Sequence, residues 1–360
     1  MLKVLTARAH PPQPSSRRLD GLTILLVGAS TGIGLEAAKQ LAANGVARLI
    51  ITARDAAKAQ KTKEVILQHL ASLPAQQRQQ TPTSIIPFIV EMASPKSLYA
   101  FIDELKRNVD HLDHVILSAG ILLGSYEKIE ATGYEASLQI NAISPTLLGL
   151  LLMPLLLASP LVAKSSVAER PHLTIVSSGG AWLTKRSLVE PYFKAAQPLT
   201  ELSKQENFPS GLMGGQYHYS RSKLMTEYAK RHLAGLKSIT DNAGKPKVLV
   251  LSVCPGAVNS DLSRHAAGSG LLGLMAKAVN NTVARTPLQG SNIYLTSLEQ
   301  GQDAQGEMWT DDHISQDHKQ YILSPDGAEF GNAVWRELQD YMLQTDEEYG
   351  NGAVRSLLGA

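Results

Sequence analysis

Gly28-Ala-Ser-Thr-Gly32-Ile-Gly34 is the stretch on which the reading of the chain turns. The apolar run Thr23-Ile-Leu-Leu-Val27 leads into it. Behind it, Ile33, Ala37, Ala38, Leu41 and Ala42 recur at three- and four-residue spacing, the period of a helix with one buried face. Strand, glycine loop, helix is the order that aims free backbone N–H groups and the positive end of a helix at a phosphate. Glycine permits positive φ and lets backbone approach a ligand closely. The loop from Gly28 through Ser30, Thr31, Gly32, Ile33 and Gly34 is therefore a candidate phosphate cradle. Its spacing is G-x-x-x-G-x-G rather than G-x-G-x-x-G. Three glycines in seven residues also suit a plain tight turn, but the flanking strand and helix patterns favour a nucleotide-binding α/β start.

Working outward, the 360 residues are 44% hydrophobic and 18% charged, enough for one large α/β domain or two small ones. The net charge of +2, from 34 basic and 32 acidic residues, supplies no field that would attract nucleic acid. Cys254 is the only cysteine, which excludes an intramolecular disulfide and a cysteine zinc site and agrees with a reducing, cytoplasmic setting. No metal site is expected. Residues 1–20 hold Pro11, Pro12 and Pro14, four basic residues and no acid before Asp20. A transit peptide has such a composition, but an amphipathic pattern is missing. The segment reads as a flexible tail ahead of a single domain, 21–360. The run Leu147–Leu157, interrupted by Pro154, is too short to span a bilayer and reads as a buried helix.

Further short apolar runs alternate with helical patterns. Arg48–Thr52, Ile85–Val90, His114–Leu117, Leu173–Val176 and Lys247–Val253 read as strands, Pro87 marking the third as an end or an edge. Leu98, Phe101, Ile102 and Leu105 form one helical stripe, and Val334, Leu338 and Met342 another. Thr286-Pro287 reads as an N-cap and first-turn pair. Residues 183–215 and 261–284 read as insertions carrying substrate loops. The alternation implies a single doubly wound, Rossmann-type parallel sheet with helices on both faces, and ligands of such sheets bind at the carboxyl ends of the strands. Gly28, Arg54, Ser118, Ser178 and Pro255 all fall at those ends.

Tyr219-Ser-Arg-Ser-Lys223 places a phenol and an ammonium on one face of a helix. A neighbouring cation favours phenolate and is expected to draw the tyrosine pKa down, which suits proton exchange with a carbonyl or an alcohol. Alone, the pair fits a solvated helix face equally well. Ser178 offers a hydroxyl at a strand end, where turn serines are common, and Asn141 is an amide on an apolar helix, where a structural hydrogen bond would satisfy it.

Taken in order, the Gly28–Gly34 loop, Ser118-Ala119-Gly120, Asn141, Ser178, Tyr219/Lys223 and Pro255-Gly256-Ala-Val258-Asn-Ser260 resemble the motifs of the short-chain dehydrogenase/reductase family, over roughly residues 20 to 300. The Arg54-Asp55 end of the second strand and the long Ser178-to-Tyr219 interval most resemble the retinol-dehydrogenase-like branch, with its many fungal oxidoreductases. The resemblance implies that Tyr219 is the general acid/base and that Lys223 binds the nicotinamide ribose. It implies further that Ser178 orients the substrate oxygen, that Asn141 holds a water in a proton relay, and that Glu91-Met92 lies against adenine. Ala119, Gly120, Pro255, Gly256, Val258 and Ser260 join the cofactor contacts. Ser118 stands where the family has Asn, Ser260 where it has Thr, and Glu91 where it has Asp. Arg54 is placed to meet a 2′-phosphate, so NADP(H) is the expected cofactor.

The activity expected is interconversion of a ketone or aldehyde with an alcohol, a biosynthetic ketoreductase being one form of it. A non-redox enzyme, or a silent nucleotide-binding protein on the same scaffold, is the alternative. Trp182, Leu271, Leu272, Leu274 and Met275 suit an apolar pocket for a lipophilic small molecule, or ordinary core. No nucleic-acid partner and no transmembrane segment are expected, and homo-oligomerisation is left open.

Overall fold

The computed structural model describes residues 7–75, 82–182, 184–211, 213–260, 262, 283–316, 322–350 and 352–359. Its centre is an eight-stranded sheet: β1 (Thr23–Val27), β2 (Arg48–Ala53), β3 (Ser84–Ile89), β4 (His114–Leu117), β5 (His172–Val176), β6 (Leu249–Cys254), β7 (Met308–Thr310) and β8 (His313–Ile314). They lie in the order β3-β2-β1-β4-β5-β6-β7-β8, parallel except for β8. The chain therefore reverses direction across the sheet between β1 and β4, where doubly wound folds bind ligands.

β1 shows why its residues had to be apolar throughout. Leu25 and Val27 enter one core and Ile24 and Leu26 the other, all four with no exposed surface. A strand buried on both faces loses the polar alternation of a half-exposed one. The first core packs α3 (Pro95–Asn108), α4 (Ala136–Leu157) and α5 (Gly214–Ala234), with α7 (Pro325–Tyr349) outside them. The second packs α1 (Gly32–Ala43), α2 (Ala56–Ser72) and α6 (Pro287–Ser297). Local chemistry starts several helices. Asp55 accepts the Lys58 N–H at 2.8 Å, and Ser94 caps α3 ahead of Pro95. Thr286 and Gln289 close a capping box on α6.

Some expectations are met and others needed correction. The leucine-rich helix is longer than its apolar run. α4 is 22 residues and, among the described residues, is the one helix long and apolar enough to cross a membrane, but 83% of that window is buried in the protein. Pro87 does sit on an edge strand, level with Ile51. β7 and β8 were not foreseen, because strands of three and two residues carry no readable period. Residues 7–20, read as a flexible tail, are tied down. Leu19 is buried and its N–H donates to the Asn44 carbonyl at 2.9 Å, while Asn292 holds the Pro12 carbonyl at 2.8 Å. Of the insertions, 184–211 forms short 3₁₀ turns and one helix, Pro198–Leu202. Residues 261 and 263–282, with Leu271, Leu272, Leu274 and Met275, lie outside the described residues.

Candidate active site

The strand ends around the crossover open on one cavity of about 300 Å³. Gly28, Ser30, Thr31, Gly32, Ile33 and Gly34 form one wall. Gly28 has φ +86°, and a Cβ there would lie 2.7 Å from the Ala119 nitrogen. A Cβ on Gly34 would collide with the Gly28 carbonyl oxygen, so the loop folds back on itself only without side chains at these two positions. Thr31 precedes α1 without capping it through its side chain, and the first turn holds no acid. The first N–H groups of α1 are thus left for an anion in the cavity.

Arg54 lies exposed at the rim beside Thr52, whose hydroxyl accepts the Gly28 N–H at 3.2 Å. Glu91 and Met92 line the cavity beyond the end of the neighbouring strand β3, but the Glu91 carboxylate accepts the Ala93 N–H of its own turn at 3.0 Å. Ala119, Gly120, Pro255 and Ser260 complete the lining among the expected contacts. Gly256 and Val258 do not line the cavity. Gly256 packs against the Arg285 guanidinium, and Val258 fills the space left by Gly290.

Tyr219 and Lys223 reach the cavity from α5, with 6% and 3% of their surface exposed. The Lys223 Nζ donates to the Val176 carbonyl at 2.8 Å and lies 5.8 Å from the centre of the Tyr219 ring. The expected lowering of the phenol pKa is not what the environment produces. Burial pushes the phenol up, a hydrogen bond from Ser178 opposing it, and burial brings the Lys223 ammonium down to about 8. Desolvation penalises each charged form, and at this depth it is the largest cause of both shifts. Ser178 is not part of the cavity lining, but its hydroxyl lies beside the phenol and accepts the Gly180 N–H at 3.1 Å. Asn141 is also outside the lining. Its amide donates to the Ile121 carbonyl and the Ser222 hydroxyl, both at 2.9 Å, and accepts the Ile121 N–H at 2.8 Å. Those bonds fix Gly120-Ile121 and occupy the side chain. It sits in a π-helical turn, Gln139–Ile143, within α4.

A model of the short chain dehydrogenase family matches residues 22–172. The short chain dehydrogenase sol3 of Alternaria solani is 31% identical over 308 residues, 84% of this chain and 93% of that protein. The chain belongs to the short-chain dehydrogenase/reductase family. The short-chain dehydrogenase/reductase ffsI of Aspergillus flavipes is 29% identical across 95% of this chain and 92% of its own length. The RhlG/NADP active-site complex of Pseudomonas aeruginosa shares the fold, with a TM-score of 0.54 at 20% identity over 82% of this chain and 96% of that one.

In this short-chain dehydrogenase/reductase, three site residues escaped sequence reasoning. Ser118, in place of the family's Asn, shares a 2.8 Å hydrogen bond with the Tyr294 hydroxyl from α6. Tyr294 is 1% exposed and lines the same cavity, and no local motif marks it. Thr52 carried no signal beyond its place at a strand end. Cys254 was read only for redox setting, yet its sulfur accepts the Gly179 N–H at 3.0 Å and the Gly256 N–H at 3.4 Å. It thereby joins the turn after Ser178 to the turn after β6.

Proposed function

We propose that this chain is an NADP(H)-dependent oxidoreductase that interconverts a ketone or aldehyde with an alcohol on a lipophilic small molecule, in the manner of a biosynthetic ketoreductase. The observation that carries the reading is the buried Tyr219 phenol, with the Ser178 hydroxyl and Lys223 beside it, in the cavity whose other wall is the glycine loop. The residues present suit a dinucleotide. Uncapped N–H groups of α1 match a pyrophosphate, and Arg54 at the end of β2 matches a 2′-phosphate by a charge-assisted hydrogen bond. Lys223, which lines the cavity, would hold a ribose hydroxyl.

When bound, the reduced nicotinamide supplies a hydride to the carbonyl carbon. Negative charge then builds on the carbonyl oxygen, and a proton must reach that atom. Burial keeps the Tyr219 phenol protonated at neutral pH, so it is ready to give its proton. Ser178 donates a hydrogen bond to the same oxygen, and the Lys223 ammonium offsets the charge left on the phenolate. In the oxidative direction the same groups act in reverse.

Two variants test this. Tyr219→Phe keeps the ring and removes the proton, so single-turnover NADPH oxidation with a lipophilic ketone should fall by at least about 10²-fold, with NADPH affinity little changed. Turnover near the wild-type rate would sink the redox reading in favour of a non-redox activity. Arg54→Ala should weaken NADPH far more than NADH, because only the phosphorylated cofactor loses an ionic partner. Equal weakening would show that Arg54 does not read the 2′-phosphate.

A further inference from the structure

Arg285 is a buried guanidinium, 3% exposed, that binds two distant parts of the chain at once. Its Nη1 donates to the Pro255 carbonyl at 2.9 Å. Its Nε donates to the Ala7 carbonyl at 3.0 Å and its Nη2 to the His10 carbonyl at 2.6 Å. Asp311 neutralises it at 2.6 Å. The Gly256 backbone, at φ +77°, presses so close that a Cβ would lie 2.5 Å from the guanidinium.

The turn that supplies Asp311 argues that the arrangement is built rather than incidental. Asp311 and Asp312 join β7 to β8 with φ of +49° and +58°. Glycine occupies such positions more cheaply. Here both carboxylates hold partners: Asp311 the Arg285 guanidinium, and Asp312 the Gln13 N–H at 2.8 Å.

We propose that residues 7–13 form a strap which, through Arg285 as a positioning residue, holds the Pro255–Gly256 turn in the shape that binds the dinucleotide. Docking of the strap and binding of the cofactor are therefore coupled. This rests on the reading of the cavity as a dinucleotide site. Pro255 lines that cavity, and its carbonyl is the atom that Arg285 grips. Coupling is reciprocal: if the strap favours cofactor binding, the cofactor must favour the docked strap.

Hydrogen exchange of the full chain, read by mass spectrometry with and without saturating NADPH, tests the reciprocal side. The Gly28–Gly34 loop should gain protection, and so should the amides of Arg8 and Gln13, which donate to Val283 and Asp312. A chain lacking residues 1–11, confirmed as folded by its melt, should bind NADPH about tenfold more weakly, near the worth of one charge-assisted hydrogen bond. Its turnover at saturating NADPH should stay within about twofold of the full chain, as for a loss of uniform binding. Protection of the loop with no change over residues 7–14 overturns the strap and leaves the dinucleotide reading standing. No protection of either overturns both. If the shortened chain does not fold, Asn292→Ala in the full chain releases Pro12 while sparing Arg285. It too should weaken NADPH binding, and unchanged affinity would overturn the strap.

Discussion

Lys223 sets chemistry against stability within a single side chain. Burial lowers its folded-state pKa to about 8, while in the unfolded chain it returns to about 10.4. Between those values the unfolded state binds a proton that the folded state does not, so stability rises with pH through that window. The cost is present in full below pH 8 and fades as pH approaches 10.5. Lys223→Met should therefore raise stability at pH 7 by the order of 1 kcal/mol, and the advantage over wild type should shrink toward pH 10. Thermal melts at the two pH values measure this, and an equal difference at both would refute it. Turnover should be lost in the same variant. The Tyr219–Lys223 spacing was legible in the sequence because it is local to one helix. The direction of the phenol's shift was not, because desolvation depends on everything packed around it.

Gly34 shows what an element demands of one position. In an ordinary helix, alanine in place of glycine gains about 1 kcal/mol of propensity. Here a Cβ would meet the Gly28 carbonyl oxygen, backbone that is itself held against Ala119. Steric cost wins. Gly34→Ala should lower stability by about 1–3 kcal/mol despite the better propensity, as overpacking does, and should weaken NADPH binding along with it. A denaturant melt and a cofactor titration check both, and a stabilised variant with normal affinity would show that the loop tolerates the methyl group. The helix start at Thr286 was readable because its cap is made within four residues. β7 and β8 were not, since both depend on β6 as a template.

At the scale of the whole molecule, α7 joins the sheet layers to the 184–211 insertion. Phe330 is fully buried, its ring 5.7 Å from Tyr228 of α5 and 5.0 Å from Phe193 of the insertion. Glu337, seven residues further along α7 and also buried, accepts the Leu199 and Thr200 N–H groups at 2.6 and 2.8 Å. Phe330→Ala leaves a cavity shared by three elements and should cost about 3–5 kcal/mol. A urea melt measures it, and a loss below about 1 kcal/mol would mean that the insertion and α7 hold together without this ring.

The sequence alone determined the alternation of strands and helices, the glycine loop, and the order of Ser178, Tyr219 and Lys223 along the chain. Each is written in a short window, where period and spacing report which face is buried. Tertiary structure alone decided that Tyr294 meets Ser118, that Cys254 links two turns, that Arg285 ties the N-terminal segment to Pro255, and that Asn141 spends its amide on Ile121 and Ser222. These partners are brought together only when the sheet stacks strands distant in sequence, and burial at that depth sets the protonation of Tyr219 and Lys223.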